Sequence, residues 1–191
     1  MRQIHLAVPL ALLALALPSV SGAALRQGAR APQIVTQGAL DGKPFAFDLR
    51  AALRKGPVVL YFYPKAFTQG CTLEAHAFAD ASDDFKGAGA TLIGMSNDDL
   101  PTLQRFSTAE CRSKFPVAIA SPETIRAYDV PLVMPPEMAA RAASMPQGLS
   151  SRTSFVIARN GRISFVHSNL DYRDHVRLTL EAVKALATAR H

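Results

Sequence analysis

Hydrophobic positions in this chain fall into short continuous runs separated by helical-period stretches. Gln33–Leu40 and Pro44–Leu49 are two β-like runs around Asp41-Gly42, a pair that favours a tight hairpin turn. Ala51–Lys55 has room for one helical turn before Gly56-Pro57 stops it. Val58–Tyr63 (VVLYFY) is apolar without interruption and rich in β-branched and aromatic residues, the pattern of a strand buried on both faces. From Cys71 to Phe85 the period changes to helical, with Leu73, Ala77, Phe78, Ala81 and Phe85 on one face.

Ala90–Ser96 (ATLIGMS) reads as a second buried strand, with cap residues in Asn97-Asp98-Asp99 and a helix from Leu100-Pro101 through Phe106. Pro116–Ala120 is a third strand, followed by a short helix around Thr124–Tyr128. Thr153–Ala158 and Arg162–His167 form a second hairpin about Asn160-Gly161, and Asp171–Ala189 a closing amphipathic helix. An N-terminal β-hairpin, then β-α-β-α-β, then a hairpin and a helix is the order of a thioredoxin-like three-layer α/β sandwich. The stretch Pro131–Ser151, with four prolines and three methionines, has no period and reads as a long surface loop.

Residues 1–23 stand apart. Arg2, the apolar run Leu6–Leu17 and the small residues Ser19–Ala23 describe a secretory signal peptide, cleaved after Gly22 or Ala23. Its apolar run is about a dozen residues, short of the roughly twenty needed to span a bilayer. An exported, periplasmic protein without stable membrane association is therefore expected, with one domain over residues 24–191. Loss of the leader takes the net charge from +6 to +5. The excess is scattered and no run of basic residues exists, which argues against nucleic-acid binding. No CxxC or HxxxH spacing occurs, so a metal knuckle is not expected, and no cofactor is expected.

The cysteines are Cys71 and Cys111. Cys71 stands where a buried strand gives way to a helix. A sulfur in the first helical turn faces unpaired backbone N–H groups and the positive end of the helix dipole, both of which favour the nucleophilic thiolate. Lys65 adds positive charge, and the Thr68 hydroxyl is suited to bond both a thiolate and an oxygen bound to it. Pro64 fixes the exit from the strand, and Gly70 permits close backbone approach.

The segment Tyr61–Ala75 (YFYPKAFTQGCTLEA) resembles the peroxiredoxin signature PxxxTxxC. It is especially similar to the bacterioferritin-comigratory, or Q-type, branch of the alkyl hydroperoxide reductase–thiol-specific antioxidant family, which runs YFYPxxxTxGCTxEA. Leu92–Ser96, Phe115–Val117 and Arg152–Ile157 with Gly161 resemble further stretches of that branch in the same order. The resemblance implies a thiol peroxidase in which Cys71 attacks a peroxide held by Thr68, Arg152 and backbone N–H groups, with Pro64 shielding the site. It also implies a peroxide substrate and a thioredoxin-like protein or small thiol as reductant.

The chain departs from the branch at one position: many relatives carry a resolving cysteine five residues after the first, where this chain has His76. His76 is open to three readings, a surface residue, a proton shuttle or a metal partner. Cys111 is then the candidate resolver, although a single-cysteine cycle and a permanent Cys71–Cys111 bridge stay open. A thiol–disulfide oxidoreductase, a copper-handling protein using Cys71 with His167 or His175, and a non-catalytic binding module on the same fold are the rival functions. The absence of a second cysteine near Cys71 weighs against the first two.

Overall fold

The computed structural model describes residues 24–134, 145–146 and 148–188. Residues 1–23, on which the expected signal peptide falls, residues 135–144 and 147 of the long loop, and residues 189–191 lie outside them. Along the chain run β1 (Val35–Leu40), β2 (Lys43–Asp48), α1 (Leu49–Lys55), β3 (Val58–Phe62), α2 (Gln69–Asp80), α3 (Ser82–Gly87), β4 (Thr91–Ser96) and α4 (Leu100–Ala109). Then follow β5 (Val117–Ile119), α5 (Pro122–Ala127), β6 (Thr153–Ile157), β7 (Ile163–Ser168) and α6 (His175–Thr188).

The strands form one seven-stranded sheet in the order β2-β1-β5-β4-β3-β6-β7. β3, β4 and β5 are parallel, while β1 and β6 pair antiparallel at either side of that trio. β3 lies near the middle and is buried at every residue. Its side chains alternate between two cores, as the two-residue strand period demands. Val59 and Tyr61 pack with Phe78 of α2, Phe85 of α3, Phe106 of α4 and Val183 of α6. Val58, Leu60 and Phe62 pack with Leu49 and Leu53 of α1 and Ile125 of α5. The result is the expected three layers, with α2, α3, α4 and α6 on one face and α1 and α5 on the other.

Local chemistry explains the element starts. Asp48, Asp99 and Ser121 cap α1, α4 and α5, each accepting from a backbone N–H three residues on. Asp41 and Gly42 both take positive φ, as the tight β1–β2 turn requires.

Three expectations are corrected. The helix foreseen over Cys71–Phe85 is two helices, broken at Ala81, because Ser82, Asp83 and Asp84 favour a new helix start over a helix interior. The last helix begins at His175, not Asp171. Asn169 and Asp171 each accept from the backbone N–H two residues on, and those turns hold 169–173 as loop. The 131–151 stretch is not wholly surface: Leu132 N donates to the Leu149 carbonyl at 2.9 Å, and Leu149 and Ser150 are buried.

Candidate active site

Topology gathers the site at one end of the sheet. Phe62, the last residue of β3, is opposite Thr153, the first of β6, and Thr153 is opposite Ser168 at the end of β7. The loop leaving β3, the residue entering β6 and the turn leaving β7 therefore meet. These carry Cys71, Arg152 and residues 169–170.

Cys71 sits in the first turn of α2 and is 2% exposed. Arg152 Nη2 donates to its sulfur at 3.5 Å. The same guanidinium donates from Nη1 to Glu74 Oε2 and from Nε to the Leu170 carbonyl at 2.9 Å. Arg152 is thus held on three sides, with one donor turned to the sulfur. Burial pulls its charged form down, but the neighbouring Glu74 and Cys71 more than offset this, so the guanidinium stays charged. Gly70 makes room for it: a Cβ there would lie 3.2 Å from Arg152 Nη2.

Glu74, one turn along α2 from Cys71, is completely buried. Burial pushes its carboxyl up to about 8, against the opposing pull of Arg152. Its other oxygen, Oε1, lies 3.8 Å from Nδ1 of the equally buried His175. His175 Nδ1 is 2.8 Å from Ser154 Oγ, and Nε2 is 2.9 Å from the Asn169 carbonyl. Burial draws the imidazole down to about 4, so it is neutral.

The remaining expected residues are placed less directly. Thr68 is the N-cap of α2, but its exposed hydroxyl donates to the Lys65 carbonyl at 2.9 Å and not to the sulfur. In consequence no side chain caps the first-turn N–H groups of α2, unlike those of α1, α4 and α5. Lys65 does not face Cys71 as a free charge, because it pairs with Asp98 at 3.2 Å. Asp98 also accepts from Ala66 N at 2.8 Å and Ser96 Oγ at 2.9 Å, clamping the 63–68 loop to the end of β4. Phe67, at positive φ, lies edge-on to Phe106 in that loop. Pro64 is half-buried directly after β3.

Cys111 lies past the end of α4, not on it, and is fully buried with its thiol pushed up, first by burial and then by Glu110. Both cysteines are free thiols in this structure. Both act on the buried phenols of Tyr61 and Tyr63, which burial and the two sulfurs push up. One hydrogen bond, His76–Glu110 at 2.7 Å, and two ion pairs, Arg112–Asp80 at 2.7 Å and Lys114–Asp83 at 3.6 Å, fasten the Cys111 segment to the α2–α3 arm. His76, in the position that a resolving cysteine takes in many Q-type relatives, is therefore part of a clasp beside Cys111.

Of the residues the sequence singled out, the structure brings Cys71 and Arg152 together and leaves Cys111 apart from them; the roles of Glu74, Asp98 and His175 around this pair were not foreseen. Glu74 was visible only as part of the YFYPxxxTxGCTxEA pattern. Asp98 was read as a cap in an Asn-Asp-Asp run, and His175 was considered only as a copper ligand beside Cys71. Among the described residues no group of three His, Cys, Asp or Glu side chains is arranged to hold a metal. No helix among them is long and apolar enough to cross a membrane. A cavity of about 850 Å³ lined by Arg30, Arg50, Arg54 and Arg159 lies by α1 and the β6–β7 turn, and Cys71 does not line it.

Known proteins are similar to this chain in sequence and fold. The chloroplastic peroxiredoxin Q of Oryza sativa subsp. japonica is 29% identical over 181 residues, covering 90% of this chain and 75% of its own. Among solved structures, peroxidoxin BcpB of Mycobacterium tuberculosis superposes with a TM-score of 0.68 at 26% identity, covering 85% of this chain and 98% of its own. The bacterioferritin comigratory protein of Xanthomonas campestris, studied for its alkyl peroxide reduction activity, has a TM-score of 0.65 at 28% identity, covering 79% and 91%. The AhpC/TSA family model matches residues 28–166. The chain therefore belongs to the AhpC/TSA family, as a thioredoxin-fold peroxiredoxin of the Q type and a thiol peroxidase.

Proposed function

We propose that Cys71 is the peroxidatic cysteine, that it reduces hydrogen peroxide or organic hydroperoxides, and that Cys111 resolves the product. The observation that carries this reading is the 3.5 Å contact of Arg152 Nη2 with Cys71 Sγ, at a helix start whose N–H groups no side chain caps. Preorganised donors of this kind stabilise charge that develops in the transition state. Cys71 thiolate attacks one peroxide oxygen, forming an S–O bond and breaking O–O. The departing oxygen carries the negative charge, takes a proton and leaves as water or alcohol, and Cys71 becomes a sulfenic acid. Thr68 and Arg152 hold the peroxide, and Pro64 walls the loop.

The Cys111 sulfur then attacks the sulfenic sulfur, expelling water and forming a disulfide. A dithiol of a thioredoxin-like protein, or a small thiol, reduces that disulfide and restores both cysteines. Cys111 is buried and fastened by the Glu110, Arg112 and Lys114 pairs, so this step requires local opening of the α2 arm. The exported reading rests on the leader-like pattern of residues 1–23 and gives antioxidant defence in the cell envelope, with a periplasmic reductant. Steady-state consumption of cumene hydroperoxide with a dithiol reductant tests the peroxidase role. Native protein turns over, and Cys71→Ser consumes no more peroxide than the reductant alone. Equal turnover by the two would remove Cys71 from the mechanism. Cell fractionation with N-terminal sequencing tests export: an intact Met1 in the cytosol overturns it.

A further inference from the structure

We infer that His175 is a positioning residue for the peroxide step: acting through Glu74, it sets how much of the Arg152 charge is left for the Cys71 sulfur and the peroxide. The inference rests on the peroxidatic role proposed for Cys71.

Arg152 is one cation between two acidic groups on the same helix, Cys71 and Glu74. If Glu74 is ionised, two anions share that charge. If Glu74 keeps its proton, the whole charge faces the sulfur. What lies on the far side of Glu74 therefore matters to the chemistry, although it never touches substrate.

His175 lies there. The Asn169 carbonyl can only accept, so Nε2 carries the ring proton and Nδ1 presents a lone pair. The Ser154 hydroxyl donates into that lone pair at 2.8 Å. The same nitrogen is 3.8 Å from Glu74 Oε1, a buried oxygen with no hydrogen-bond partner among the described residues. With its one lone pair taken by Ser154 and its one N–H given to Asn169, the ring has no donor to offer Oε1, so an ionised Glu74 gains nothing there and stays costly to bury. His175 thus favours the protonated form of Glu74. It also ties the 169–170 turn, whose Leu170 carbonyl accepts from Arg152 Nε.

The groups facing this pair come from every neighbouring element. Glu74 bonds Arg152 ahead of β6, lies one turn from Cys71 on its own helix, and its charge reaches Tyr61 on β3. His175 meets Ser154 on β6, His167 on β7 with ring centres 4.6 Å apart, and the charge of Asp171. Only Arg152 favours an ionised Glu74 directly, and burial opposes it.

The test is side-chain carbon NMR of the full reduced chain, with the Glu74 carboxyl identified by its loss in Glu74→Gln. His175→Gln, whose amide N–H can donate to Oε1, is expected to lower the Glu74 midpoint by about one pH unit, a tenfold change in its ionisation ratio at fixed pH. Ser154→Ala frees Nδ1 and is expected to raise it. The rate of Cys71 oxidation should fall as Glu74 ionises and takes its share of the Arg152 charge, and that fall should move with the midpoint in each variant. Damage to packing alone would not shift the two variants in opposite directions. A midpoint unmoved in both, or moved the same way in both, overturns the inference. Native Cys71 reacting no faster than a free thiol would overturn the proposed function instead, with the midpoints still deciding what His175 does.

Discussion

Arg152 and Glu74 form a buried pair, with side chains 6% and 0% exposed, and the Arg152 nitrogen not bound to Glu74 Oε2 or the Leu170 carbonyl is the one aimed at Cys71. The pair thus does two jobs at once. It closes the core where β6 meets α2, and it presents a fixed charge to the sulfur. Neither job is separable from the other by geometry, but they separate in experiment.

Arg152→Ala is expected to lower the second-order rate of Cys71 oxidation by about 10²–10³, the usual loss when a preorganised donor is removed. It should also reduce stability by about 2–3 kcal/mol, since Glu74 is left buried without its partner. Arg152→Lys restores the charge without the fork and should recover stability more than rate. Stopped-flow oxidation and urea unfolding read the two effects separately.

The pH dependence of stability follows from two buried groups with opposite signs. His175, drawn down to about 4, binds fewer protons folded than unfolded between pH 4 and 6.5, so its contribution is lost as pH falls through that range. Glu74, pushed up to about 8, binds more protons folded than unfolded between pH 4.5 and 8, so stability falls as pH rises there. The two cancel between about 4.5 and 6.5, leaving a plateau with a decline on each side. The alkaline decline is about 2 kcal/mol by pH 8 and should vanish in Glu74→Gln. Urea midpoints measured from pH 3.5 to 8.5 check both limbs.

Asp98 is the structural support that holds the Cys71 loop. Its carboxylate accepts from Lys65, Ala66 N and Ser96 Oγ. Asp98→Ala should cost about 2 kcal/mol, because the buried Ala66 N–H loses its acceptor. Amide hydrogen exchange should rise selectively over residues 64–70, a pattern that unfolding of the whole sheet would not give.

Cys111→Ser should leave the first peroxide reduction intact and abolish turnover with a protein dithiol. Glu110→Gln weakens the clasp on His76, an interaction worth about 0.5–1 kcal/mol at that exposure, and should speed disulfide formation two- to fivefold. Rapid-quench trapping of free thiols separates these steps. Unchanged multiple turnover in Cys111→Ser removes Cys111 from the cycle.

The strands were legible because the sheet's centre is buried on both faces, and continuous runs such as Val58–Tyr63 have few other solutions. Cys71 was legible because its loop carries a dense local pattern. Partners that come from far along the chain were not. Asp98 meets Ala66 and Ser96 only after β3 and β4 align, and His175 meets Glu74 only once α6 packs on α2. Lys65 looked like a free charge beside the thiol because nothing local reveals its pairing with Asp98. The Ala81 break and the late start of α6 were decided by side-chain hydrogen bonds and turn geometry, which a hydrophobic period does not record.

The most direct test of the central claim is single-turnover oxidation of the fully reduced protein by one equivalent of hydrogen peroxide, read by intact mass. The account predicts that Cys71 is oxidised orders of magnitude faster than free cysteine, with loss of two hydrogens as the bridge to Cys111 forms. Cys111→Ser should gain one oxygen instead, and Cys71→Ser should stay unchanged on that timescale. Oxidation of Cys71 no faster than an ordinary thiol would contradict the account.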